Sequence, residues 1–483
     1  MYIAFESGRT AKDPSIDWYQ GEIWFFDNCV IPLAQRIKDS ALFGVQGDDS
    51  LRNAFSNKKE WTVKGADIVT ALVAKIKQKK ETASLIAKQE AEKTEEQKTE
   101  EIEAGKKEGK DKQLIEWNVD LFKRMLRQIL AHRMASGRES KEQVLNMAHS
   151  LKEGSRVRDS IVRIVDFPQF DKKASKLKVD PDTVELSKAV EDQLRDFISF
   201  IASMYRDHEF HNFKHASNVS MAANKLVQRI VDDTLAEQVA EPLTQFGILL
   251  SALLHDVDHS GASNAQLVEE KTQLAALYHN KSVAEQNSVN MAWSVLMSAE
   301  YKDLQSAIYC DESEFARFRG IVVNTIMATD LFDEVLIADR SKRWLEAFDP
   351  ESRDISLSEQ EQLSLKATIV VEHVMQASDI SHTMQHFHSY RGWSERLFIE
   401  RMTGFDNGRL ADQDPSETWY GGEIKFFDQY VIPLAKKLQG SNVFGIAGDD
   451  ALSCAKANRK EWVVNGVEIV GDFKKKYNDT KKN

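Results

Sequence analysis

Cysteine is scarce in this chain: three in 483 residues (Cys29, Cys310 and Cys454), widely spaced and odd in number. That excludes a disulfide-stapled framework and points to a reducing, cytoplasmic setting. Proline and glycine are also few, 8 and 22, which leaves little of the turn punctuation that a hairpin-rich fold requires. No apolar run approaches the roughly 20 residues needed to cross a bilayer. The opening MYIAFESGRTAKD lacks the basic and apolar blocks of a signal peptide, although a longer parent protein could still be membrane-attached. A basic surplus is absent as well, since the formal net charge is −12. That argues against a nucleic-acid partner. An acidic protein that handles an anionic substrate needs local positive charge, which bound metal ions can supply.

The clearest organisational feature is an internal duplication. Residues 13–69 and 414–470 align without a gap at a constant offset of 401, and 32 of the 57 positions are identical. Nothing resembling residues 120–400 precedes the first copy. Residues 1–76 therefore read as a partial duplicate, the tail of a domain without its body, left by a tandem parent or by a truncated duplication. Residues 77–113 follow, with 20 of 37 charged and the signs interleaved. Such a stretch buries too little apolar surface to offset its ordering entropy as a packed element, so it reads as a solvated helix or linker. From Leu114 the pattern turns helical. Trp117, Leu121, Met125 and Ile129 recur at steps of four, and strand-like alternation is missing. The expectation is an all-α, compact multi-helix domain over 114–483.

Two short segments hold four of the twelve histidines. His211 and His215 in FHNFKHASNV stand four apart and share a helix face. An apolar helix, LLSALL, ends in His255-Asp256, with His259 one turn later. Asp379 closes another apolar run, and Glu285 lies 26 residues beyond His259. Paired divalent ions need imidazole and hard oxygen ligands with a carboxylate able to bridge, and separate helices of one bundle can supply them. A lone histidine on a helix is usually an ordinary core or surface residue. The pairing of two i,i+4 sets with an adjacent His-Asp is what raises the metal reading above that background.

These segments resemble the catalytic domain of class I 3′,5′-cyclic nucleotide phosphodiesterases, in the HD-domain superfamily. The family pattern H-N-x-x-H-x-x-N appears as His211-Asn212 to His215 and Asn218. H-D-x-x-H appears as His255-Asp256 to His259, followed by Glu285, then Asp379 between Ser378 and Ile380. The aromatic closing segment matches Phe426-Phe427-Asp428 and Lys460-Glu461-Trp462. The resemblance spans roughly 155–470 and places the metal site among the helices of an HD-type fold. It implies metal-dependent hydrolysis of a cyclic nucleotide, cAMP or cGMP, to the 5′-monophosphate, ending a second-messenger signal. It further implies that His215, His255, Asp256 and Asp379 hold Zn²⁺. Asp256 would also bridge to Mg²⁺, or Mn²⁺, whose waters are ordered by His259 and Glu285. His211 would protonate the leaving O3′, oriented by Glu461, and Phe426 would stack on the base near His382.

One position departs from the family. Members carry glutamine three residues before the stacking phenylalanine, and this chain has Glu423, matched by Glu22 in the first copy. An ionised carboxylate only accepts hydrogen bonds, so a base-facing Glu423 would suit the donors of guanine. A Glu423 that points elsewhere is the competing reading. A non-catalytic nucleotide binder is the rival from another class, and the intact set of ligands with His211 argues against it. The spacing of Asn218 and Glu285 argues against a different HD phosphohydrolase. Oligomeric state is not legible.

Overall fold

The structure, a computed structural model, describes residues 13–39, 44–90, 95–138, 157–168, 170, 178–409 and 414–481. Parts of the expected N-terminal segment and linker, residues 1–12, 40–43 and 91–94, lie outside the described residues. Two compact units divide between Lys107 and Glu108.

The first unit contains α1 (Pro14–Phe25), a π-turn at Phe26–Val30, α2 (Ile31–Asp39) and the long α3 (Gly44–Glu90). Shifted by 401, the bounds of α1, the π-turn and α2 coincide with Pro415–Phe426, Phe427–Val431 and Ile432–Gly440 at the other end of the chain. The same residues thus make the same local structure twice. Each π-turn precedes a proline, Pro32 or Pro433, whose missing N–H cannot continue the regular ladder. The packing of the copies differs. In the first unit Ala34, Leu51 and Ala54 form a small buried cluster, while Trp24 and Phe25 are 61% and 49% exposed. The charged segment 77–113 is helical wherever it is described, through the end of α3 and into α4 (Glu95–Ser136).

The second unit has no strand among its described residues, as the periodicity predicts. After the apolar end of α4 come α5 (Lys188–Met204), α6 (Phe213–Val227), α7 (Asp233–Val239) and α8 (Pro242–Leu254). Short helices α9 (Asn264–Glu269) and α10 (Gln273–Leu277) lead to α11 (Val283–Leu296), α12 (Lys302–Ile308), α13 (Glu312–Met327) and α14 (Glu334–Phe348). Then follow α15 (Glu359–Asp379), α16 (Phe387–Asp406) and the second copy of the repeat: α17 (Pro415–Phe426), α18 (Ile432–Gly440) and α19 (Ile446–Thr480).

Helix α8 is apolar around its circumference and is the centre of the core, buried at every position but Gln245, as an all-round hydrophobic helix must be. It lies against α6 and α13. Gly247 allows the close crossing, because a Cβ there would stand 3.1 Å from Ile321 Cγ2. Helix α15 is buried almost throughout from Ser364 to Ser378. Its Glu372 is the one carboxylate in that run, and it is held by Arg343 at 2.7 and 3.0 Å and by Asn324 Nδ2 at 2.9 Å. The start of α6 and the C-terminal ends of α8 and α15 meet at one place, and each carries polar residues there.

Candidate active site

Asn212 caps α6, its side chain accepting from the His215 N–H at 3.0 Å, which fixes His215 in the first turn. His255 and Asp256 follow the last residue of α8, and Asp379 is the last residue of α15. His215 Nε2 lies 3.1 Å from Asp379 Oδ1 and 3.7 Å from Asp256 Oδ2. His255 Nε2 lies 3.1 Å from Asp256 Oδ2 and 3.4 Å from Asp379 Oδ1. One ligand atom each from His215, His255 and Asp379 fit within 4.8 Å of one another.

The donor set fits a divalent cation. His255 Nδ1 faces the Ala252 carbonyl at 3.0 Å; a carbonyl only accepts, so Nδ1 carries a proton and Nε2 is the atom left to take up a proton or a cation. That buried Nε2 has no well-aligned hydrogen-bond partner among the described residues. Burial opposes charge on His255, yet the Asp256 and Asp379 carboxylates overcome it and hold its pKa well above the ordinary 6.5. The cluster is built to accept positive charge.

The turn that follows α8 is held in a strained conformation. Asp258, between Asp256 and His259, adopts φ +61°, a left-handed conformation that is uncommon outside glycine. Its carboxylate accepts from Arg206 Nε at 2.7 Å and from Asn287 Nδ2 at 3.1 Å, which ties the turn to α11.

His211 stands beside this cluster, its ring stacked on His259 with centroids 3.8 Å apart. Its partner is Glu400 of α16. Glu400 Oε1 lies 2.5 Å from His211 Nδ1, and Oε2 accepts the backbone N–H groups of Phe210 and His211 at 2.8 and 3.0 Å. The expected partner, Glu461, is not there. It sits on α19 and accepts from Asn465, one turn along its own helix, at 2.8 Å. Burial tends to lower the His211 pKa, but the charge and hydrogen bond of Glu400 raise it above 6.5. His259 goes the other way, down to about 3, through burial and then the neighbouring His211.

Glu285 lies across the same cleft. Burial first, and then the nearby Asp330 carboxylate, push it up to about 8, against the Asn264 hydrogen bond at 2.9 Å. Asn264, Asp330 and Glu400 carry no recognisable spacing to the histidine motifs, and sequence reasoning missed all three.

The cleft, about 210 Å³, is lined by His211, Asp256, Glu285, Asp379, His382 and Phe426 among others. Phe426 is half-buried and stacks on Tyr430, centroids 5.6 Å apart at 19°. His382 is packed near Phe210, Tyr390 and Trp393, and burial followed by His215 lowers its pKa to about 3, so it presents a neutral ring. Glu423 departs from the base-facing expectation. It is buried, and its two oxygens accept from Tyr390 Oη at 2.5 Å and Ser394 Oγ at 2.7 Å. Trp462 in turn donates to Tyr390 Oη at 2.7 Å. Glu423 is thus buried against α16 and is not among the residues that line the cleft, so this geometry gives the guanine preference argued from it no support.

Comparison with known proteins bears on residues 210–442, which match the family described as 3′5′-cyclic nucleotide phosphodiesterase. A 3′,5′-cyclic-AMP phosphodiesterase, isoform F, of Drosophila melanogaster is 25% identical over 254 residues, 50% of this chain and 36% of that protein. A cGMP-specific 3′,5′-cGMP phosphodiesterase 3 of Dictyostelium discoideum is 24% identical over 263 residues, 53% of this chain and 52% of that protein. The chain thus spans about half or less of the length of these relatives. Among solved structures, the phosphodiesterase domain of Salpingoeca rosetta rhodopsin phosphodiesterase aligns with TM-score 0.47 and 22% identity, covering 61% of this chain and 87% of that one.

Proposed function

Because the chain carries a class I cyclic nucleotide phosphodiesterase catalytic domain, we propose that it hydrolyses a 3′,5′-cyclic nucleotide to the nucleoside 5′-monophosphate. The observation that carries this reading is the convergence of His215, His255, Asp256 and Asp379 from three helices beside a histidine held by Glu400. Those four residues would hold the first divalent ion, Zn²⁺ by its imidazole and carboxylate set. Asp256 would reach toward a second, Mg²⁺ or Mn²⁺, with His259 and Glu285 behind it. The bound ions would offset the phosphodiester charge and acidify a water molecule.

The protein's own residues supply the rest. With Nδ1 committed to Glu400, His211 has Nε2 left to hold a proton toward the cleft, where the departing O3′ needs one. Glu400 keeps the ring protonated and fixes its orientation. Phe426 offers a flat apolar face for a base, and the neutral His382 can hydrogen-bond without adding charge. The first copy of the repeat lies in a stretch with no histidine before His132, so it cannot form a catalytic unit alone. Residues 114–483 form the catalytic region, acting in the cytoplasm. Incubating the protein with cyclic AMP and cyclic GMP, and separating 5′- from 3′-monophosphate products, tests the reading. The 5′-isomer is expected, and release of the 3′-isomer would exclude this placement of His211.

A further inference from the structure

Next to the catalytic cleft lies a second cavity of about 550 Å³, within the roughly 300–1,000 Å³ range of small-molecule sites. Leu331, Phe332 and Phe426 line both spaces, while the metal-ligand cluster lines only the first. The second cavity is walled by α14, α15, α17 and α18. Its apolar surface includes Ile337, Tyr430 and Leu434, and its charged groups are Arg340, Lys425 and Lys437. Among the described residues, no acidic one lines it, although the whole chain is at −12.

The positive groups are poorly compensated. Arg340 is 6% exposed and donates, among the described residues, to two backbone carbonyls, Asp330 O at 2.9 Å and Met327 O at 3.4 Å. Lys437 lies with Nζ 5.4 Å from the centroid of the Trp344 ring, and its pKa is lowered by burial and by the facing Arg340. Nearby Glu372 is committed to Arg343 and Asn324. Cations gathered in a half-buried cavity without a carboxylate favour an anionic ligand. The aromatic pair Phe426–Tyr430 favours a flat ring on that ligand.

We propose that this cavity is a second ligand site for an aromatic phosphate of the size of a nucleoside 5′-monophosphate, its phosphate against Lys437 and Arg340 and its ring against Phe426 and Tyr430. Binding there would not require the catalytic metal centre. A ligand in place would brace the phenylalanine that the two cavities share, and so couple the site to the cleft.

The test uses the full chain in chelator, titrated with adenosine and guanosine 5′-monophosphate while tryptophan emission is followed. Trp344 touches both Lys437 and His373, whose ring centroid is 4.3 Å away, so it reports on this cavity, and Trp344→Phe identifies its share of the signal. Saturable quenching is expected with at least one of the two nucleotides. Lys437→Met should weaken it about tenfold or more, the effect of removing one hydrogen bond to a charged group. Lys425→Glu, an exposed change that leaves the core alone, should weaken it too and keeps the test valid if Lys437→Met fails to fold. No binding in chelator, or binding of unchanged strength in both lysine variants, would overturn the proposal.

Discussion

Glu400 holds His211 at two points, the ring Nδ1 at 2.5 Å and the backbone N–H at 3.0 Å, and also accepts the backbone N–H of Phe210 at 2.8 Å. One carboxylate from α16 therefore sets both the position of the segment entering α6 and the protonation of its histidine. A buried, multiply bonded carboxylate with these donors titrates well below the usual range; burial works against this, and the His211 charge and bonds prevail.

The first prediction concerns pH. A general acid must be protonated, so activity falls as pH rises through the pKa of His211. Glu400 raises that pKa, which extends activity to higher pH. Glu400→Gln should move the alkaline limb of kcat/KM to lower pH, while His211→Ala should cost about 10²–10⁴-fold. An unmoved limb in Glu400→Gln would show that the pair does not set the profile.

A second prediction concerns the metal. Removing an outer-shell partner typically costs about 10–100-fold in metal affinity or activity, and a direct ligand should cost more. His255→Ala and Asp379→Ala should each lose more than that, together with the bound metal measured by elemental analysis. Asn264→Ala should retain the metal. Full metal content in Asp379→Ala would remove that residue from the site.

Glu423 yields a prediction about stability. Burial, the largest effect, raises its pKa above 4.5 against the hydrogen bonds from Tyr390 and Ser394. A carboxyl with a raised folded-state pKa gives stability that is complete below the unfolded value and lost as pH rises through the folded one. Glu423→Gln, neutral at every pH, should therefore melt higher than the parent at pH 8 and about level with it at pH 4.5. Equal melting at pH 8 would mean that the buried carboxylate carries no such cost.

Glu372 anchors the run of α15 that ends in Asp379. Glu372→Ala leaves Arg343 buried, 2% exposed, and cut off from its main partner. It should destabilise the fold by about 3–5 kcal/mol, read by denaturant unfolding, with a smaller loss for the double variant that also replaces Arg343 with methionine.

Much of this arrangement is visible in the chain itself. His255, Asp256 and Asp379 sit at the ends of apolar helical runs and His215 in the first turn of α6, and helix ends are where backbone groups and polar side chains gather around a buried site. The repeat was legible as a duplication; the π-turn that both copies share, between identical Phe-Phe-Asp and Ile-Pro segments, emerged only in the structure. Glu400 was not legible. It lies 189 residues from His211, and its partnership depends on how α16 packs rather than on any local pattern. Glu423 misled for a related reason: spacing locates a residue on a helix, but the donors Tyr390 and Ser394 on α16 decide where its carboxylate points.

Metal-dependent hydrolysis at the His215–His255–Asp256–Asp379 cluster is tested most directly by turnover of cyclic AMP and cyclic GMP by the full chain with Mg²⁺. A chelated sample and the Asp256→Ala variant serve as controls. The expected result is 5′-monophosphate from at least one of the two nucleotides, lost in both controls. Undiminished turnover in Asp256→Ala, or no turnover of either nucleotide by folded, metal-loaded protein, would contradict it.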